Sequence, residues 1–152
     1  MGILDRFKTV KEKLIKDKLE QELEKLNSLQ DIIAYILSKM DEDSVNWIKN
    51  IDTVESFVGQ AHFFLGMSIR NNLKLWEKGS HLYNFFNTTY DLTHADDMSG
   101  IILKKLYNTI HKIEGDDWIK DELASYKAHW ERENKGGNYT ITLNGKDIEI
   151  KK

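Results

Sequence analysis

Residues 54–77 read VESFVGQAHFFLGMSIRNNLKLWE. Phe57, Ala61, Phe64, Leu65, Ile69, Leu73 and Trp76 follow one another at essentially three- and four-residue steps, the repeat of one face of an α-helix. The spacing predicts one long helix from Val54 to about Glu77, opened by Asp52-Thr53 and ended by Lys78-Gly79-Ser80. It carries the strongest helical pattern in the chain, so it is the expected centre of the core.

The same period extends in both directions. Upstream, Leu29, Ile32, Ile33, Ile36, Leu37 and Met40 form a compact apolar face behind Ser28 and Asp31, which have capping-box spacing. Asp43 or Ser44 is the expected cap of a short third helix with Val45, Trp47 and Ile48. Downstream, the aromatic stretch His81–Leu92 suggests a short helix and an ordered loop. Thr93 and Asp96 then frame a cap for a helix carrying Met98, Ile101, Ile102, Leu106 and Ile110. Ile119, Leu123, Tyr126 and Trp130 place another helix before Gly136-Gly137. There the period changes to two. Tyr139, Ile141 and Leu143 alternate with polar residues up to Asn144-Gly145, and Ile148 and Ile150 resume the alternation beyond it. The expected fold is mainly all-α, a bundle of five to seven helices with a C-terminal two-stranded β-hairpin. The expected organisation is an amphipathic N-terminal helix at 1–27, a helical core domain at 28–135 and a hairpin appendage at 138–152.

The first helix is expected from Gly2 to Asn27. Ile3, Phe7, Val10 and Leu14 make its stripe, which continues after a one-residue phase shift through Ile15, Leu19, Leu23 and Leu26. At 1.5 Å per residue such a helix spans about 39 Å, against a radius of gyration of roughly 15 Å for a domain of this size. Part of the stripe should therefore project beyond its own core. It packs on its own domain, joins a partner or lies on a membrane surface, the last disfavoured by a polar face balanced in charge rather than basic, and a homodimer through residues 3–26 is the expected arrangement.

Composition narrows the function classes. Twenty-two Lys and Arg against 25 Asp and Glu give a net charge of −3, so no general basic field draws the chain to nucleic acid. The absence of Cys excludes disulfides, thiolate metal sites and a thiol nucleophile, and it fits a reducing, cytoplasmic setting. No apolar run approaches the ~20 residues of a membrane helix, and charge from Asp5 onward argues against a signal peptide. Phosphate-loop, dinucleotide, zincin, EF-hand and kinase motifs are missing. His81, His111 and His129 fall in exposed-helix contexts and carry no expected role.

One dense polar constellation stands out. It joins Gly66-Met-Ser-Ile69-Arg70-Asn71-Asn72-Leu-Lys-Leu-Trp76 to His94-Ala95-Asp96-Asp97-Met-Ser99. The stretch from about Leu29 to Ile110 resembles a family of bacterial and phage proteins catalogued as a domain of unknown function. That family shows a His-x-x-Leu-Gly-x-x-Ile-Arg-Asn-Asn-x-x-Leu-Trp run and a later His-Pro-Asp-Asp-x-Ser-x-Ile-Ile motif. The first run is matched here at Gly66, Ile69, Arg70, Asn71, Asn72 and Trp76, with His62 at the upstream His. The second is matched at His94, Asp96, Asp97, Ser99, Ile101 and Ile102, with Ala95 in place of the proline. The resemblance brings no activity with it and suggests a phage or mobile-element accessory protein.

The constellation has three readings. In the first, Arg70 faces inward and is paired with Asp96 or Asp97, a bidentate clasp between two helices. In the second, Arg70, Asn71, Asn72, His94, Asp96 and Asp97 are polar contacts, and Trp76 a stacking wall, for an anionic nucleotide-like ligand. In the third, His94, Asp97 and His62 run a small metal-assisted or acid–base hydrolysis. A non-enzymatic binding or interaction module is the expected function, with no catalytic residue, no resident metal and no cofactor, and with an anionic small molecule or a protein as partner.

Overall fold

The computed structural model describes residues 3–134 and 139–150. Residues 1–2, 135–138 and 151–152, which include the expected Gly136-Gly137 break and both ends of the expected appendage, lie outside the described residues. The chain divides into two compact units, residues 1–114 and residues 115–152. The molecule is mainly helical, with eight helices among the described residues.

In the first unit, α1 spans Ile3–Glu24, α2 Leu29–Lys39, α3 Glu42–Lys49, α4 Val54–Ala61, α5 Leu65–Asn72, α6 His81–Tyr90 and α7 Ala95–Ile110. Side-chain caps set four of these starts by accepting from an otherwise orphaned backbone N–H. Ser28 takes Asp31 N, Thr53 takes Ser56 N and Ser80 takes Tyr83 N. Asp41 takes Ser44 N at 2.7 Å, so α3 is capped by Asp41 rather than by Asp43 or Ser44. The contact holds the Asp41 carboxyl below its ordinary range, chiefly through hydrogen bonding with Ser44. The expected Thr93 cap is also replaced: His94 occupies the N-cap of α7 and makes no side-chain cap bond.

The centre of the core is α7, not the Val54–Glu77 segment. Ile101, Ile102 and Leu103 are consecutive and fully buried, together with Met98 and Leu106. A helix apolar on several faces needs neighbours on several faces, and α7 packs against α2, α3, α4 and α5. Its far end is tied by Tyr107, whose hydroxyl donates to the Ile51 carbonyl at 2.7 Å, and by His111, whose Nε2 donates to the Ile48 carbonyl at 3.0 Å. The Tyr107 phenol is pushed above its ordinary pKa, first by burial. His81 Nε2 donates to the Leu26 carbonyl at 2.8 Å and fastens the exit of α1 to α6. His81 and His111 thus tie helix ends together, a role their sequence contexts did not indicate.

The single helix expected over Val54–Glu77 is broken twice, and the first break makes two helices of one and raises the number above seven. The α4 ladder ends with His62 N donating to Val58 O, and the α5 ladder begins with Ser68 N donating to Phe64 O. Between them the His62 carbonyl accepts from Arg70 Nη2 at 3.3 Å instead of extending the helix. After α5, Lys74 takes a left-handed φ of 56° and Leu75 N reaches back to Arg70 O at 3.0 Å, a Schellman closure.

From Val10 onward, the described side chains of α1 become buried towards its C-terminal end. Leu23 and Leu26 are buried, at 4% and 8% exposed, whereas Val10, Leu14 and Ile15 are 56%, 64% and 59% exposed. The Glu20 carboxylate accepts from Lys74 Nζ at 2.7 Å.

The second unit holds α8 (Trp118–Asn134) and two strands, β1 (Tyr139–Leu143) and β2 (Lys146–Ile150). The strands pair antiparallel with Ile141 opposite Ile148. Asn144 and Gly145 between them both have positive φ, 53° and 76°, as a type I′ turn requires.

Candidate functional site

Arg70 is in the last turn of α5 and is 3% exposed. Its Nη1 donates to Ser99 Oγ on α7 at 2.9 Å, and its Nη2 to the His62 carbonyl. Its Nε lies 3.4 Å from Asp96 Oδ1, an ion-pair contact without hydrogen-bond geometry. The clasp therefore differs from the bidentate carboxylate pair expected from sequence: one hydroxyl and one backbone carbonyl take the terminal nitrogens, and Asp96 adds charge from the side. Asp96 is 56% exposed on its side chain, so its carboxylate keeps much of its hydration while offsetting the buried cation.

The neighbours of Arg70 are arranged around that guanidinium. Ser99 is fully buried, and its own hydroxyl donates a hydrogen bond to the Asp96 carbonyl at 3.0 Å. Gly66, one turn before Arg70, leaves the space that Nη1 occupies: a Cβ there would lie 2.9 Å from Nη1 and 3.6 Å from Leu103 Cδ1. The Schellman closure at Lys74 turns the chain so that Trp76 lies against Arg70, with the guanidinium carbon 5.7 Å from the ring centroid. Trp76 remains 59% exposed and covers the clasp from outside.

The other expected site residues are spread around this core. Asn71 and Asn72 are exposed on α5, His94 is exposed and Asp97 half-buried at the start of α7. His62 reaches Arg70 through its backbone carbonyl, while its ring sits edge-on to Phe63 with centroids 5.4 Å apart. Among the described residues no three His, Asp or Glu side chains gather as a metal cage, and the set His62, His94 and Asp97 does not form one.

Asn72 instead faces a second feature. It lines, with Leu19 of α1, Tyr35, Ile36 and Lys39 of α2, Met40, Leu65, Ser68 and Ile69 of α5, and Leu73, a cleft of about 320 Å³. Its Nδ2 donates to Ser68 Oγ at 3.1 Å.

A family described as Domain of unknown function (DUF6794) matches residues 27–110. The chain belongs to this family. No curated protein and no solved structure matches it significantly. The DUF6794 segment runs from the turn before α2 to the end of α7 and so contains the whole Arg70 clasp. The sequence offered Ser99 only as a motif position, whereas it is the direct acceptor of Arg70. A signal was present: Ala95, Ser99, Ile102 and Leu106 fall on the inward spacing of α7, where a hydroxyl needs a polar partner. Nothing in the periodicity marked Tyr35 and Lys39 as cleft residues, because the cleft exists only once α1, α2 and α5 meet.

Proposed function

We infer that this DUF6794 protein is a non-enzymatic interaction module that self-associates through the free half of α1, with the DUF6794 segment as a rigid scaffold. The observation that carries this reading is the division along α1. Leu23 is buried, whereas Ile15, two turns earlier on nearly the same face, and Val10 and Leu14, before the phase shift, are each more than half exposed. An exposed aliphatic ridge on a helix that is marginal alone favours a second surface, and a second copy presents the same ridge. Lys and Glu flank the ridge on both sides and set register more than affinity.

Arg70 supports the scaffold role. Its terminal nitrogens are engaged inside the molecule and it is almost fully covered, so it favours a clasp over a ligand contact. The motif resemblance supports an accessory role in a phage or mobile element. Light scattering tests the reading: the full chain runs as a dimer at micromolar concentration, and Leu14→Glu with Ile15→Glu runs as a folded monomer. A monomeric full chain, or a charged variant that still dimerises, refutes it.

A further inference from the structure

The cleft between α1, α2 and α5 has the composition of a ligand site. Its body is apolar, made by Leu19, Ile36, Met40, Leu65, Ile69 and Leu73. Its polar wall residues are Tyr35, Lys39, Ser68 and Asn72, and among the described residues no carboxylate lines it. The Tyr35 hydroxyl donates to Glu22 Oε2 at 3.3 Å, so Tyr35 offers the cleft its ring. Lys39 lies over that ring at 5.5 Å, and its contact with Glu22 is 3.9 Å long with the lysine side chain 59% exposed. So long and solvated a pair holds the ammonium weakly. On the opposite wall the Asn72 amide donates to Ser68 Oγ, which leaves the Ser68 hydroxyl proton and the second Asn72 N–H available as donors. The cleft thus combines an apolar body with one cation and a pair of neutral donors.

We propose that this cleft binds an aliphatic monocarboxylate, its chain between α1, α2 and α5 and its carboxylate met by Lys39, Ser68 and Asn72. The volume of about 320 Å³ is at the small end of ligand pockets, which run roughly 300–1,000 Å³. At roughly 30 Å³ per water-sized unit, it has room for about ten methylene-sized groups, a medium-length chain. The carboxylate complements a wall whose formal charge, among the described residues, is the Lys39 ammonium, and the chain removes apolar wall from water. This site is distinct from the exposed ridge of α1 and does not depend on self-association.

Decanoate, held below its micelle concentration, is the probe, with decan-1-ol as the neutral comparison. Calorimetry and amide chemical shifts are recorded on the full chain, on Lys39→Glu and on Ser68→Trp, both changes at exposed positions. Decanoate is expected to bind one per chain, with shifts centred on Ile36, Ser68, Ile69 and Asn72, and tighter than decan-1-ol. Lys39→Glu is expected to weaken decanoate by about tenfold or more while leaving decan-1-ol unchanged, and Ser68→Trp to block both. Decan-1-ol binding as tightly as decanoate, shifts spread over the whole surface, or full binding to Ser68→Trp would each overturn the proposal.

Discussion

Gly66→Ala is the sharpest probe of the clasp, because two opposed effects act on one methyl group. Alanine in a helix is favoured over glycine by up to about 1 kcal/mol, the full value belonging to interior positions and Gly66 being the second residue of α5. The added Cβ, however, would stand 2.9 Å from Arg70 Nη1, which is held by Ser99 and cannot retreat without leaving it. Hydrogen bonds to a charged group contribute about 1.5–3 kcal/mol each. Disturbing the Ser99 bond, with some loss at the His62 carbonyl, therefore costs about 2–3 kcal/mol, and the net effect is a destabilisation of about 1–2 kcal/mol. In an Arg70→Ala background the nearest remaining atoms to that Cβ are Ala61 O at 3.5 Å and Leu103 Cδ1 at 3.6 Å, ordinary contacts. There the same substitution should stabilise by up to about 1 kcal/mol. Urea unfolding of the four proteins, followed by far-ultraviolet circular dichroism, measures a coupling of about 2–3 kcal/mol between the two positions. If Gly66→Ala raises stability equally in both backgrounds, the guanidinium is not confined as described and the clasp reasoning fails.

Two further outcomes follow from the helix ends. Hydrogen bonding with Ser44 depresses the Asp41 carboxyl, so its contribution is fully present above its ordinary value of 3.8 and is lost as pH falls through the lowered value. The stability gap between the native chain and Asp41→Asn should accordingly narrow in acid; a gap that widens on acidification contradicts the cap. Lys112 ends α7 with a left-handed φ of 58°, while Ile113 N bonds Asn108 O at 2.8 Å. Lys112→Gly should raise stability by up to about 1 kcal/mol by removing that strain, and a lowered thermal midpoint would show that the lysine side chain matters more than its backbone.

Much of the fold was legible because caps and periodicity are local. Ser28, Thr53 and the apolar steps of α2 and α7 mark their helices without tertiary context. The Val54–Glu77 segment misled because its steps continue through His62–Phe64, where a side chain 8 residues further on captures the carbonyl that would have prolonged the helix. No window of sequence contains that competition. Rank by periodicity also favoured that segment over α7 as the centre, since a helix buried on several sides loses its one-sided pattern while gaining neighbours. For the site, an inward polar residue, Arg70 or Asn71, was readable from the apolar surroundings, and a carboxylate partner, Asp96 or Asp97, from the position of both at a helix start. The spacing of α7 marked Ser99 as an inward hydroxyl in need of a partner, but its pairing with Arg70, and the use of a backbone carbonyl beside it, was not readable, because both depend on how α5 meets α7. The exposure of Val10, Leu14 and Ile15 was foreseeable from the length of the helix against the size of the core.

In the proposed assembly two copies meet along the exposed part of α1. Leu14 lies within the exposed part of α1 (Ile3–Glu24), so a two-fold pairing there places its two copies side by side in a parallel pair and within about 15 Å along the axis in an antiparallel one. The chain has no cysteine, and Leu14→Cys therefore carries a single spin label. Pulsed electron paramagnetic resonance on that protein is predicted to give one narrow distance within about 20 Å, since paired helices lie roughly 8–10 Å apart. A signal with no dipolar modulation at micromolar concentration, or a broad distribution beyond that range, would contradict the account.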